Sequence, residues 1–160
     1  MRVKIKICGI SEEDNIKCCI DNSIDMIGFV FYENSPRNIS ILKAKNLYSD
    51  FGREINIVGL VVDPDESLIE TLVNEIGINI IQFHGNENLS KLLTLKSKYN
   101  IQIIKAININ EATDKTHLIE LQNNMDFLLL DAPPPENSMR PGGNGKHFDW
   151  DLIKNLEINS

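Results

Sequence analysis

Residues 125–150 read MDFLLLDAPPPENSMRPGGNGKHFDW, and this stretch decides the fold. Phe127, Leu128, Leu129 and Leu130 form an unbroken apolar run. A continuous run, unlike an alternating one, suits a parallel strand covered on both faces. Asp131 closes the strand, and Pro133, Pro134 and Pro135 then exclude helix and ladder alike. Pro141, Gly142, Gly143 and Gly145 follow in a loop whose backbone can approach a ligand closely. Phe148-Asp149-Trp150 restarts ordered structure, with Asp149 as the N-cap of a helix running to about Glu157. A carboxylate at a strand's C-terminal end, beside a long loop, is the arrangement of an α/β enzyme site. An Asp that merely opens a turn is the plainer reading of the same residue.

Upstream, the strand-then-helix unit recurs. Val3 to Cys8 alternates with period two and ends at Gly9. Ser11 is expected to cap the helix that follows, with Asp14 three residues on, and Ile16, Cys19 and Ile20 as its apolar stripe. Met26 to Phe31, Asn56 to Val62, Ile78 to Phe83 and Gln102 to Ala106 read as further strands. Helical spacing appears from Ser40 to Tyr48, through Leu68 to Ile76 with Gly77 as its stop, from Glu87 to Tyr99 and from Thr113 to Gln122. With Phe127 to Leu130 that makes six strand–helix units, and such alternation implies a parallel sheet with right-handed crossovers. Two closures compete, a doubly wound open sheet and a (β/α)8 TIM-type barrel. No G-x-G-x-x-G follows the first strand, and a helix after every strand favours the barrel.

Bulk properties narrow the function. Sixteen basic and 23 acidic residues leave a net charge of −7 without a basic cluster, which argues against nucleic acid and against an anionic membrane surface. No secretory segment and no long apolar run is visible, so the expected location is cytoplasmic. Three cysteines, two of them adjacent (Cys18 and Cys19), make no disulfide framework, and with three histidines no zinc spacing appears. Cys18, Cys19, the methionines and the aromatics are expected to be packing residues.

Four strand ends carry chemistry. Cys8 ends the first strand, Arg37 lies in the loop after the second, His84 follows the fourth and Asp131 ends the sixth. In a barrel all four face the same C-terminal end. Singly, each has a bland reading: a small buried thiol, a solvated loop cation, a strand-end hydrogen bonder, a turn carboxylate. Together, a thiol and a carboxyl across one pocket can act as base and acid. The thiol then needs its proton affinity lowered, and the carboxyl needs its own raised. No metal, flavin or nucleotide motif is present, so no cofactor is expected and an isomerase or lyase is the simplest class.

These motifs have a family resemblance. Lys6-Ile7-Cys8-Gly9-Ile10, Gly28-Phe29-Val30-Phe31-Tyr32 with Ser35-Pro36-Arg37, Gln82-Phe83-His84-Gly85, and Leu130-Asp131 followed by Gly142-Gly143-Asn144-Gly145 and Phe148-Asp149-Trp150 resemble, in order and over essentially the whole chain, phosphoribosylanthranilate isomerase. That family is a (β/α)8 barrel of tryptophan biosynthesis. The resemblance implies an Amadori rearrangement of N-(5-phosphoribosyl)anthranilate, a small phosphosugar, to 1-(2-carboxyphenylamino)-1-deoxyribulose 5-phosphate. It implies that Asp131 protonates the furanose ring oxygen and that Cys8 removes the proton from C2 of the ribose. Arg37 would meet the anthranilate carboxylate, His84 would line the pocket, and the loop of Gly142, Gly143 and Gly145 would fold over the substrate.

The sequence departs from an eight-unit barrel. About six βα units are found, so residues 1–160 are expected to form a single, C-terminally incomplete TIM-barrel domain. The loops after strands seven and eight, where such barrels hold phosphate, have no counterpart in the sequence. A six-strand piece would leave open edges, so the expectation is a chain completed by a C-terminal segment, by a second copy or by another chain. A catalytically silent truncated relic or interaction subunit, and another cofactor-free phosphosugar enzyme, are the rival readings.

Overall fold

The strands form because their runs are rich in Ile, Val, Leu and Phe, and the helices because Ser, Asp and Asn start them at the right places. Ser40 Oγ accepts from Lys43 N, Asp65 from Leu68 N, Asn88 from Lys91 N and Asp114 from Thr116 N, each satisfying a donor in a helix's first turn. The computed structural model describes residues 2–154, apart from 112, 137, 139, 140 and 146. In chain order the elements are β1 (Lys6–Cys8), α1 (Glu13–Asp21), β2 (Met26–Phe31), α2 (Ile41–Phe51), β3 (Asn56–Val61) and α3 (Glu66–Glu70). There follow a π-helical turn (Thr71–Ile76), β4 (Ile80–Phe83), α4 (Leu89–Tyr99), β5 (Gln102–Asn108), α5 (Lys115–Asn124), β6 (Phe127–Asp131) and a 3-10 turn (Trp150–Leu152).

All five strand pairings are parallel, and the spatial order β1-β2-β3-β4-β5-β6 repeats the chain order. The sheet is a curled half-barrel of TIM type, not a doubly wound sheet. Its curl is visible in one hydrogen bond: Lys6 Nζ on β1 reaches Gln82 Oε1 on β4 at 2.7 Å. Three strand spacings in a flat sheet would separate those backbones by about 14 Å, so the concave face must fold inward to bring the side chains together. The register places Lys6, Cys8, Gly28, Val30, Val58, Leu60, Ile80, Gln82, Ile104 and Asp131 on that concave face. Ile27, Phe29, Ile57, Val61, Ile81, Phe83 and Ile103 point the other way and join Ile16, Leu47, Ile69, Leu72, Leu92 and Leu121 of the helices in the main core. A smaller cluster, Val58, Ile80 and Ile104 with Met26, fills the floor of the concave face. Among the described residues, no helix is long and apolar enough to cross a membrane.

Several expectations need correction. The Phe127–Leu130 run is not covered on both faces: β6 is an edge strand, and Phe127 and Leu129 remain 37% exposed. β1 begins at Lys6 rather than Val3, since the ladder with β2 starts there and the Asp25 carboxylate accepts from Ile5 N at 2.8 Å instead. Ser11 does not cap α1; Glu12 holds the cap position without a side-chain bond, and its carboxylate pairs with Lys43 at 2.6 Å. Cys18 is exposed while Cys19 is buried, because only Cys19 shares the inner stripe with Ile16. Trp150 is exposed, stacked on Phe148. Asp149 does cap, accepting from Asp151 N at 2.9 Å, but the described turn is 3-10. The expected helix to Glu157 extends into residues 155–157, outside the described ones.

Candidate active site

The C-terminal strand ends open onto a cleft of about 290 Å³, lined among others by Lys6, Cys8, Tyr32, Arg37, Gln82, His84, Asp131, Gly142 and Gly143. Cys8, Arg37, His84, Asp131, Gly142 and Gly143 are therefore brought together from both edges and the middle of the sheet. Gly145 is not part of this lining, and a side chain there would meet nothing nearby.

Each group is placed by its backbone neighbours. Cys8 pairs in register with Gly28, and a Cβ on Gly28 would come within 2.8 Å of the Cys8 sulfur, so the glycine makes room for the thiol. Arg37 leaves the loop after β2, its N–H donating to Ser35 Oγ at 3.2 Å, and its Nη1 donates to the Cys8 carbonyl at 3.4 Å. Gly9, at φ +88°, lies directly under the Arg37 side chain, where any Cβ would collide with it. The guanidinium also touches the far loop: a Cβ on Gly143 would stand 2.6 Å from Arg37 Nη2. Gly142 packs onto the His84 ring and the Asp131 carboxyl so closely that a side chain there would strike both.

The polar centre of the cleft is a pair. His84 Nε2 lies 3.4 Å from Asp131 Oδ2, with the imidazole 10% and the carboxyl 29% exposed. Asp131 Oδ1 accepts from Ala132 N at 2.8 Å, which fixes the carboxyl plane. Burial pushes the His84 pKa below its usual value. The Asp131 charge opposes that fall, while Lys105 and Lys6 add to it.

Two structural groups were not legible as such in the sequence. Lys6 and Gln82 join the pair through hydrogen bonds: Gln82 Oε1 accepts from Lys6, and Gln82 Nε2 lies 3.3 Å from His84 Nδ1. Period-two alternation was the available signal, since Lys6 shares a face with Cys8 and Gln82 with His84. Behind the cleft, Lys105 is buried on the helix side and donates to Glu87 Oε2 at 2.8 Å and to the Gly85 carbonyl at 2.7 Å. Glu87 Oε1 accepts from Asp63 N and Gly85 N, and Asp63 Oδ1 accepts from Asn86 N. This network ties the loops after β3 and β4 together and so holds His84 in place.

A parallel, helix-clad half-barrel with an imidazole, a carboxyl and a thiol at its strand ends defines an α/β-barrel enzyme. A family model described as N-(5'phosphoribosyl)anthranilate (PRA) isomerase matches residues 5–160. The N-(5'-phosphoribosyl)anthranilate isomerase of Chelativorans sp. (strain BNC1) is 35% identical over 157 residues, covering 98% of this chain and 72% of that protein. The phosphoribosyl anthranilate isomerase structure from Thermotoga maritima superposes with a TM-score of 0.76 at 30% identity, over 95% of this chain and 70% of that one. A further isomerase structure of the same kind, in complex with reduced 1-(o-carboxyphenylamino)-1-deoxyribulose 5-phosphate, gives 0.73 at 26% identity, over 95% and 69%. The chain belongs to the phosphoribosylanthranilate isomerase family.

Proposed function

We propose that this chain catalyses the Amadori rearrangement of N-(5-phosphoribosyl)anthranilate, a step of tryptophan biosynthesis, by general acid–base catalysis. Asp131 gives its proton to the furanose ring oxygen as the C1–O bond breaks. The anthranilate nitrogen's lone pair forms the C1=N iminium. The Cys8 thiolate takes the proton from C2, and those electrons neutralise the iminium to give the enolamine. Tautomerisation then moves the enol proton to C1 and leaves the ketone at C2. Arg37 receives the anthranilate carboxylate in a charge-assisted contact. His84 lines the pocket beside the acid, and Gly142 and Gly143 cover it.

The observation that carries this reading is the single cleft holding Cys8, Arg37, His84 and Asp131 in a chain of this family. The activity test follows phosphoribosylanthranilate, generated in place, by loss of its fluorescence. Cys8→Ser and Asp131→Asn should each lower turnover by about 10²–10⁴-fold. Turnover unchanged by both would overturn the assignment of acid and base.

A second reading, a silent relic or interaction subunit, draws on the cleft's cations. Among the described residues only Lys6 and Arg37 bring a permanent positive charge to the lining, and Lys6 is engaged with Gln82. Among the described residues the lining then offers the substrate phosphate no further cationic side chain. Absence of turnover from a chain that melts cooperatively would favour that reading. In either case we infer one domain, a TIM-type half-barrel, from the continuous six-stranded sheet.

A further inference from the structure

We propose that Lys6 and Gln82 are positioning residues that hold His84 as its neutral Nε2–H tautomer, with that N–H turned onto the Asp131 carboxyl. The role in catalysis rests on the function proposed above; the tautomer itself does not. Four side chains form one line across the concave face. Lys6 Nζ is 2.7 Å from Gln82 Oε1, Gln82 Nε2 is 3.3 Å from His84 Nδ1, and His84 Nε2 is 3.4 Å from Asp131 Oδ2.

The direction of this line is set at its first link. An ammonium has three donors and no acceptor, so it donates only to the oxygen end of the Gln82 amide. A flipped amide would turn its NH2 on the Lys6 charge. Gln82 is 1% exposed, so water does not offer it another partner. The amide NH2 therefore faces His84 Nδ1, which must carry the lone pair. The ring's proton then sits on Nε2, opposite Asp131. The other neutral tautomer would set donor against donor at Gln82, and would leave no ring N–H for the Asp131 carboxylate once its proton has been given up. The imidazolium would be wrong at one end, with Lys6 and Lys105 opposing the extra charge and Asp131 alone favouring it.

Nε2 is buried and makes no hydrogen bond in this structure. A buried donor without an acceptor is destabilising, and Asp131 Oδ2, at 3.4 Å, is the acceptor that this nitrogen faces. That contact holds the carboxylate left behind when Asp131 gives up its proton, with Ala132 N–H on the other oxygen. Among the described residues, the hydrogen bonds of Lys6 and Gln82 run to each other and to His84 and not to Cys8 or Asp131, so their effect passes through His84.

The experiment is long-range ¹H–¹⁵N correlation of the histidine ring nitrogens in the ¹⁵N-labelled chain near neutral pH. The expected pattern for His84 is an unprotonated Nδ1 and a protonated Nε2. Gln82→Glu replaces the donor with a carboxylate that Lys6 also stabilises, so Nδ1 should gain a proton and the ring's titration midpoint should rise by about one pH unit. Lys6→Met, on a part-exposed edge strand where folding is little threatened, frees the amide to turn and should move Nδ1 toward an averaged position. With substrate, Gln82→Glu should lower kcat about tenfold with KM nearly unchanged, and shift the acid limb of the pH profile upward. A protonated Nδ1 in the parent chain, or the parent pattern persisting in both variants, would overturn the proposal. The expected nitrogen pattern in a chain without turnover would support the tautomer and overturn the activity instead.

Discussion

β4 and β6 are both short apolar strands, and they live in different surroundings. Every residue of Ile80–Phe83 is buried, between β3 and β5 and under the helices. In Phe127–Asp131 no residue is fully buried, and among the described residues the outer side of the strand has no ladder partner. The contrast carries into the site. His84 follows the buried strand and is braced from behind by Lys105 and Glu87, whereas Cys8 and Asp131 end the two edge strands. The proposed acid and base thus stand on the least supported strands, and the imidazole between them on the best supported. An apolar run tells that a segment is a strand; its neighbours in the sheet decide whether it is core.

The largest test of this contrast exchanges an aromatic for alanine in each strand. Phe83 is fully buried against the helices, so Phe83→Ala should cost about 3–5 kcal/mol in urea or guanidinium unfolding. Phe127 keeps 37% of its surface in water, so Phe127→Ala should cost about 1–2 kcal/mol. Equal losses at the two positions would mean that β6 is covered in solution.

Next comes the brace behind β4. Lys105→Met leaves the Glu87 carboxylate, itself fully buried, without its cation. Loss of one partner of a buried pair is destabilising by about 3–5 kcal/mol. The low end, near 3 kcal/mol, is expected here because Asp63 N–H and Gly85 N–H still satisfy Glu87 Oε1. The double variant Lys105→Met, Glu87→Leu should recover much of the loss in the same unfolding measurement. Failure to recover would show that the pair orders the loops by more than charge balance.

What could be read from residues alone follows the same division. The order of strands and helices was legible because each unit carries its own period, and the converging ends were legible because parallel strands share one C-terminal face. Cys8, His84 and Asp131 are legible that way, each a reactive side chain at the end of an apolar run, and Arg37 as the cation of the loop that follows one. The exposure of Phe127 and Leu129 was not legible, since a buried and an edge strand differ in neighbours and not in composition. Lys105 is not legible as a support of the site inside its Ile-rich strand, because its partner Glu87 lies 18 residues away. Ser11 failed as a cap for a local reason: the chain enters α1 one residue later, and Glu12 is drawn to Lys43 on α2.

A smaller effect concerns pH. The His84 pKa lies below its usual 6.5 because burial disfavours the imidazolium, so between the two values the unfolded chain binds the extra proton and the folded one does not. Stability from this group is complete above about pH 6.5 and falls as the pH drops below it toward the folded value. His84→Gln should flatten that part of the stability–pH curve, measured by denaturant midpoints across the range.

At the open edges the property expected to change most is association. Val3, Ile5 and Ile7 at the β1 edge are 80%, 50% and 39% exposed, and Phe127 and Leu129 at the β6 edge are 37% exposed. Unpaired backbone beside exposed apolar side chains is a template for another strand. The 160-residue chain should therefore scatter light as a species heavier than its 18.1 kDa. Ile5→Lys and Phe127→Lys put a charge on each edge without touching the cleft lining. Ile5→Lys should shift unfolding by about 0.5 kcal/mol, in keeping with an exposed position, and Phe127→Lys by about as much as the alanine exchange. Together they should move the scattering mass toward the monomer, because a lysine on an edge strand must be desolvated before a second edge can pair with it. A parent chain that is already monomeric and melts cooperatively would break the comparison at its root, since the edges would then be no more adhesive than the helix-clad face.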